Sequence, residues 1–338
     1  MIQAIRRSRV SNHSLLRAVS ASIVLALWVF ISSCANLAKV SDQTIPKMIL
    51  PLADADFNGL VGRLQPLMSF QALRSSRVQI RFIDDESSER YRTADAVLAL
   101  KRPDNIYLKV QIPVTGSKVA EMVSDTEQFK VAIYRDPYKR FLIGTNNADY
   151  RRWREQLGRD KQSALTNARP FHFTDAMMIR SLHIGEARFV YTLEEALIEE
   201  PDTSKGAKKG ARLLRSFYVI SEAELSSTEQ GSARARRRFW FDRTDPQTRL
   251  ARQQVFDERG LIATEVHYSK YTKLGAANAE WPSVIFMMRP RDNYSVQLTF
   301  SDLEFNPNLP ATAFELKNTE GLPETDLDKT TGTRDSKF

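Results

Sequence analysis

Asn105-Ile106-Tyr107-Leu108-Lys109-Val110-Gln111-Ile112-Pro113 alternates without a break. Ile106, Leu108, Val110 and Ile112 fall on one side of an extended chain, and Tyr107, Lys109 and Gln111 on the other. Side chains on a strand alternate between the two faces, so this spacing predicts a strand with one buried and one wet face. The same period of two recurs at Val78/Ile80/Phe82, Ala96/Leu98/Leu100, Phe129/Val131/Ile133, Phe217/Val219, Phe239/Phe241 and Tyr294/Val296/Leu298/Phe300. Turn signals separate these runs, among them Arg102-Pro103-Asp104-Asn105, Arg135-Asp136-Pro137-Tyr138 and Asp257-Glu258-Arg259-Gly260.

Short turns between one-faced strands imply antiparallel meanders, about ten or eleven strands in all. A sheet of that size curls, and its apolar face needs a cover. About three helical segments are available for it. The first follows Asp56-Phe57-Asn58, with Leu60, Val61, Leu64, Leu67 and Met68 on one helical face and Pro66 placed to kink or divide it. Residues 147–182 carry further helical spacing, with Tyr150, Trp153 and Leu157 and then Phe173, Met177, Met178 and Leu182. The expected fold is therefore mainly β with helices (α+β): a curved antiparallel sheet forming an incomplete barrel, lidded by helices. Residues 199–210, rich in Lys, Gly, Asp and Ser, read as a mobile hairpin tip.

The first 34 residues are laid out as an export signal. An Arg-rich start without acids precedes an apolar stretch from Ala18 to Ile31, and Ile31-Ser32-Ser33-Cys34 follows. That apolar stretch of roughly 14 residues is short of the ~20 that a spanning helix needs. Small residues before the only cysteine resemble a bacterial lipobox, with cleavage before Cys34 and acylation of its thiol. A remainder without cysteine suits an exported chain that has no disulfides. Ala35 at the next position resembles an outer-membrane address facing the periplasm. The expected organisation is a signal peptide at 1–33, a lipidated tether at 34–54, one domain at 55–318 and a disordered tail at 319–338.

The formal charge is +8, but Arg6, Arg7, Arg9 and Arg17 all precede Cys34, and without them the excess is +4. So small an excess gives no counterion-release argument for nucleic acid. Arg234, Arg236, Arg237 and Arg238 run into Phe239-Trp240-Phe241, a pairing that single-strand binders use. On an exported chain it reads as a solvated strand start that faces anionic lipid head groups.

No catalytic signature is present. His172, His183 and His267 lack metal-ligand spacing, and no P-loop, G-x-G-x-x-G or G-x-S-x-G occurs. Asp84, Asp85, Glu86 and Glu89 read as a solvated loop rather than an acid/base pair. No enzyme, metal or cofactor is implied.

Several stretches together resemble a known family: Phe239-Trp240-Phe241-Asp242, Val255-Phe256-Asp257, Val266-His267-Tyr268-Ser269-Lys270-Tyr271, Trp281-Pro282, Leu303-Glu304-Phe305-Asn306 and Phe314-Glu315-Leu316. In that order they are similar to periplasmic lipoprotein carriers and outer-membrane lipoprotein-sorting proteins. The resemblance implies an incomplete barrel whose apolar interior accepts acyl chains of lipids or lipoproteins. It also implies an arginine that holds the lid closed, with Arg188, Arg215, Arg236, Arg237 and Arg238 as candidates.

Candidate groove residues are Leu98, Ile106, Leu108, Val110, Met177, Met178, Phe239, Phe241, Phe286 and Met288. Met fills irregular space and is common at adaptable apolar surfaces. The partners expected are membrane lipid through acylated Cys34, acyl chains in the groove, and an envelope protein. The alternative reading is a non-catalytic envelope-assembly lipoprotein that acts through protein contacts.

Overall fold

The structure is a computed structural model. It describes residues 46–84, 92–146, 167–226, 231–274 and 279–330, and between 147 and 166 only Ala148, Tyr150 and Trp153. Cys34 with the whole expected signal, the carboxylates Asp85, Glu86 and Glu89, and Leu157 lie outside the described residues.

In chain order the elements are β1 (Lys47–Met48), α1 (Phe57–Ser69), β2 (Ala72–Asp84), β3 (Arg92–Lys101), β4 (Asn105–Gln111), β5 (Lys118–Ser124), β6 (Gln128–Ile133) and β7 (Arg140–Thr145). There follow α2 (Pro170–Met177), β8 (Phe189–Pro201), β9 (Arg212–Leu225), β10 (Ala233–Asp242), β11 (Leu250–Phe256) and β12 (Ile262–Leu274). The last are β13 (Ala279–Arg289), β14 (Tyr294–Phe300), β15 (Glu304–Phe305), β16 (Glu324–Asp326) and α3 (Leu327–Thr330).

All 16 described strands join one mixed sheet, more than the ten or eleven expected. Its path is β1-β9-β10-β11-β12-β13-β14-β2-β3-β4-β5-β6-β7-β16, with β8 also on β9 and β15 also on β2. The excess comes mostly from β1, β15 and β16, which have two or three residues each and are too short to show a period. The sheet does not close on itself, as expected of an incomplete barrel. Its last pair, β16 on β7, is parallel.

Residues 46–47 and 199–213 cluster apart from the rest of the described chain. Within 199–213, Asp202 N–H donates to the Ala211 carbonyl at 2.8 Å, Asp202 Oδ1 accepts from Ser204 N–H at 2.9 Å, and Arg212 pairs with Glu199.

In the larger unit the alternation read from sequence becomes the core. Ile106, Leu108 and Val110 of β4 are buried, and Tyr107 and Lys109 between them are not. One apolar cluster takes in Leu98, Val131, Ile220, Phe239, Phe241, Val266, Met287 and Val296 from the strands, with Leu60, Leu64, Phe173 and Met177 from the helices. Helix α1 packs against β13, and α2 against β4, β5 and β12.

Local sequence explains both helices. Asp56 caps α1, its Oδ1 accepting from Gly59 N–H at 2.8 Å. Pro66 neither ends nor divides α1, which is one element from Phe57 to Ser69. The carbonyl that faces the proline ring belongs to Gly62, whose surroundings hold nothing within 4 Å of a Cβ position. Pro170 opens α2 at its first position, where the missing N–H is no loss. The helix stops at Met177, because Met178 leaves helical dihedrals at φ −106°, ψ 75°.

The other face of the sheet is covered by the chain that follows β15. Leu316 packs with Val123, Ala132 and Phe141, and Leu309 with Ala72 and Ala99. Residues 324–330 were expected in a disordered tail, yet they form β16 and α3, and Leu327 is fully buried. A polar, Thr-rich composition hid one anchoring leucine and a three-residue strand.

Candidate functional site: the helical cover of the apolar core

The candidate groove residues divide in two. Leu98, Ile106, Leu108, Val110, Met177, Met178, Phe239 and Phe241 lie together in the core, none more than 2% exposed. Phe286 and Met288 do not join them. Ile285 and Met287 of β13 are buried against the core, so Phe286 and Met288, which alternate with them, stand on the opposite face, where the Phe286 ring lies 6.3 Å from that of His267. The run Val284-Ile285-Phe286-Met287-Met288 is apolar throughout and offers no contrast from which to read its parity.

Over this core the cover is held by a few polar anchors. Arg102 follows β3 and reaches both helical segments. Its Nε donates to the Phe70 carbonyl at 2.8 Å, and its Nη2 to the Leu67 and Ile179 carbonyls, each at 3.0 Å. Leu67 is in the last turn of α1, and Ile179 lies just beyond α2. The guanidinium also sits 4.8 Å above the Phe70 ring. Phe70 meets Trp281 edge-on at 5.2 Å, and Trp281 meets Phe305 at 5.3 Å. One side chain thus satisfies the end of α1 and ties both pieces of the cover to one point.

Of the five arginines read as lid candidates, Arg237 is bonded to the cover among the described residues. It donates from Nη1 to the Arg180 carbonyl at 2.8 Å and from Nη2 to that of Ser181 at 3.1 Å. Glu222 holds the same guanidinium at 2.8 and 2.6 Å and accepts from the Tyr191 hydroxyl at 2.7 Å. Arg188 and Arg236 pair with Glu224, Arg215 pairs with Asp242, and Arg238 lies over the Phe256 ring. Arg102 is not legible as an anchor in the sequence, because Arg-Pro-Asp-Asn reads only as a turn and its acceptors, backbone carbonyls, leave no trace there.

Further anchors involve aromatic side chains. The Tyr268 hydroxyl lies 2.8 Å from the Ala176 carbonyl of α2. The Arg169 guanidinium, ahead of α2, is 5.6 Å from the rings of both Phe129 and Trp153 and 6.0 Å from that of Tyr150. His172, in the first turn of α2, is buried; its Nδ1 is against the Tyr294 hydroxyl and its Nε2 is 3.7 Å from Asp292 Oδ2. His183 pairs with Glu186 at 2.9 Å, and His267 with Glu265 at 2.8 Å. Among the described residues no group of three or more His, Cys, Asp or Glu is placed to hold a metal.

Outside the core one residue stands out. Val114, in the turn between β4 and β5, is fully exposed and has φ +71°. A β-branched residue in the left-handed region is strained, and strain of that kind persists where something else requires the residue.

No family model matches the chain, and neither does any curated protein. Solved structures do. A LolA superfamily protein of Nitrosomonas europaea matches with a TM-score of 0.41 and 10% identity, covering 78% of this chain and 99% of that one. A DUF1329 family protein of Desulfovibrio piger matches at 0.43 and 12%, covering 76% and 96%. A candidate outer-membrane lipoprotein-sorting protein domain of Vibrio parahaemolyticus matches at 0.40 and 11%, covering 76% and 94%. No helix among the described residues is long and apolar enough to cross a membrane.

Proposed function

We propose that this chain is a membrane-anchored envelope lipoprotein that shelters the acyl chains of lipids or lipoproteins in the core under its helical cover, with no catalytic step. The observation that carries this reading is the way the cover is attached. A large apolar face, from Leu98 and Leu108 to Phe239 and Phe241, is closed by two short helices, and Arg102 joins both to the sheet through hydrogen bonds to carbonyls. Bonds from a charged guanidinium are worth about 1.5–3 kcal/mol each. Burial of an acyl chain is worth ~0.8 kcal/mol per methylene, so about a dozen methylenes offset the opening of the cover. In this reading the closed state is the one in which Arg102 makes those three bonds. Cys34 supplies the anchor, and the strained Val114 turn supplies an apolar contact outside the core.

The test is lipid extraction and native mass spectrometry of the purified chain, with uptake of a fluorescent fatty acid. Co-purified acyl lipid, or uptake that quickens in Arg102→Ala, is expected. No lipid and no uptake in either protein sinks the reading. For the anchor, Cys34→Ser is expected to abolish labelling by a palmitate analogue.

A second reading is favoured by one observation: eight of the ten groove candidates are packed to 2% exposure or less. It is an envelope-assembly lipoprotein with a permanently filled core that works through protein contacts. One stable partner captured by crosslinking in cells, together with an interior free of lipid, distinguishes it.

A further inference from the structure

Independently of what the core holds, one end of the sheet carries a charged cleft. It measures about 510 Å³ and lies between Arg188, the β9–β10 hairpin at Glu224, Leu225 and Arg234, and the β11–β12 turn at Arg259. Glu224 is approached by three guanidiniums: Arg188, Arg234 at 3.0 Å and Arg236 at 3.4 Å. Three cations around one carboxylate leave an excess of two positive charges, and Arg259 with Glu258 in the same lining adds nothing net. Among the described residues no second anion compensates that excess. Guanidiniums at such a spacing suit the oxygens of a phosphate, which accept paired N–H donors.

The register of the sheet adds a second observation. β9 and β10, β11 and β12, and β4 and β5 are successive antiparallel pairs on one path, so their turns all close the same end of the strands. That end exposes Val114 at 104%, Leu261 at 54% and Leu225 at 40%. Leu225 lines the cleft itself, and Leu261 follows the cleft residue Gly260. Exposed apolar tips beside three arginines that share one carboxylate make an amphipathic rim, a combination suited to the interface of an anionic bilayer. The turns at 85–91 and 227–230 lie outside the described residues.

We infer that this end of the sheet docks on an anionic membrane surface, with the phosphate of an anionic phospholipid head group seated among Arg188, Arg234 and Arg259. The leucines and Val114 rest in the interfacial layer, and the core is not involved.

The test is co-sedimentation of the full chain in a Cys34→Ser background, the wild type of this assay, with vesicles of phosphatidylcholine alone or with about a third phosphatidylglycerol, at low and high salt. Wild type is expected to prefer the anionic vesicles, and Arg188→Gln with Arg259→Gln to lose about five-fold in partitioning per arginine. Lys205→Gln with Lys208→Gln, the same charge change at the 199–210 tip, is expected to leave the preference in place. Where the arginine pair fails to fold, as read by its urea midpoint, Arg259→Gln alone is measured. The inference is overturned if wild type shows no preference, or if the lysine pair costs as much as the arginine pair. It is equally overturned if inorganic phosphate binds in an arginine-dependent way while vesicles do not, since the seat would then serve a free anion.

Discussion

Arg102 Nη2 and the carbonyl oxygen of Ile179 are 3.0 Å apart, across 77 residues of sequence. The bond joins the turn between two core strands to the end of α2, and the same nitrogen reaches Leu67 at the end of α1. The cover is therefore fastened mainly through side chains of the sheet. It can loosen without any strand ladder breaking.

Arg102→Ala is expected to cost about 2–4 kcal/mol, as several charge-assisted bonds to partly buried carbonyls are lost together. Hydrogen exchange localises the effect: amides of 170–182 speed up while those of β3 and β4 stay protected. Arg102→Lys recovers little, because one ammonium cannot replace a fork that spans three acceptors. Unchanged exchange over 170–182 in Arg102→Ala excludes a clamp.

Adjacent methionines of β13 provide an internal comparison. Met287 is buried in the core and Met288 is on the opposite face. Met287→Ala is expected to lose about 2–5 kcal/mol and Met288→Ala less than about 1. Urea unfolding checks both, with slopes unchanged between variants. Equal losses contradict the observed parity.

Asp302 sets an acid limb of stability. Burial pushes its carboxyl up, but Ser76 and Ser75 hydroxyls and the backbone N–H groups of Arg77 and Ser76 pull it further down, to about 2. Bonds to Ser75 Oγ at 2.7 Å and Arg77 N at 2.9 Å pin the bulge of β2 between Ser75 and Val78. Since the folded value lies below the ordinary 3.8, the contribution is present above pH 4 and is lost as pH falls towards 2. Asp302→Asn is expected to lower stability at neutral pH and to flatten that part of the profile, as read from thermal melts between pH 2 and pH 6.

Val114→Gly is expected to raise stability by about 1 kcal/mol, because glycine adopts positive φ without the clash that valine suffers there. The same change is expected to weaken attachment to vesicles, since the apolar tip is gone. A melt and a sedimentation assay on one protein read both. A variant that is less stable and binds unchanged removes the case for Val114 as a contact.

The fold was legible wherever apolar and polar residues alternate. β4 could be read from its own residues because Tyr107, Lys109 and Gln111 contrast with their neighbours. β13 could not, because apolar residues occupy both of its faces from Val284 to Met288. The site was less legible still. Asp56 announced α1 through a side-chain cap, which has a residue signature, whereas Arg102 binds carbonyls, which every residue has. Conformational strain at Val114 leaves no mark on composition either, and Leu327 is a lone leucine among polar neighbours.

The parallel pairing of Glu324, Thr325 and Asp326 with Phe141, Leu142 and Ile143 bears on how the chain reaches its native state. No other described strand is synthesised later. Until those three residues arrive, β7 presents unpaired amides and carbonyls, a template on which another copy could add. Docking of Leu327 and the bond from the Tyr150 hydroxyl to Asp328 at 2.5 Å then seal that edge. Three residues of β16 cover that edge of β7, so a nick or truncation between β15 and β16 is expected to show first as aggregation, well before any loss of thermodynamic stability.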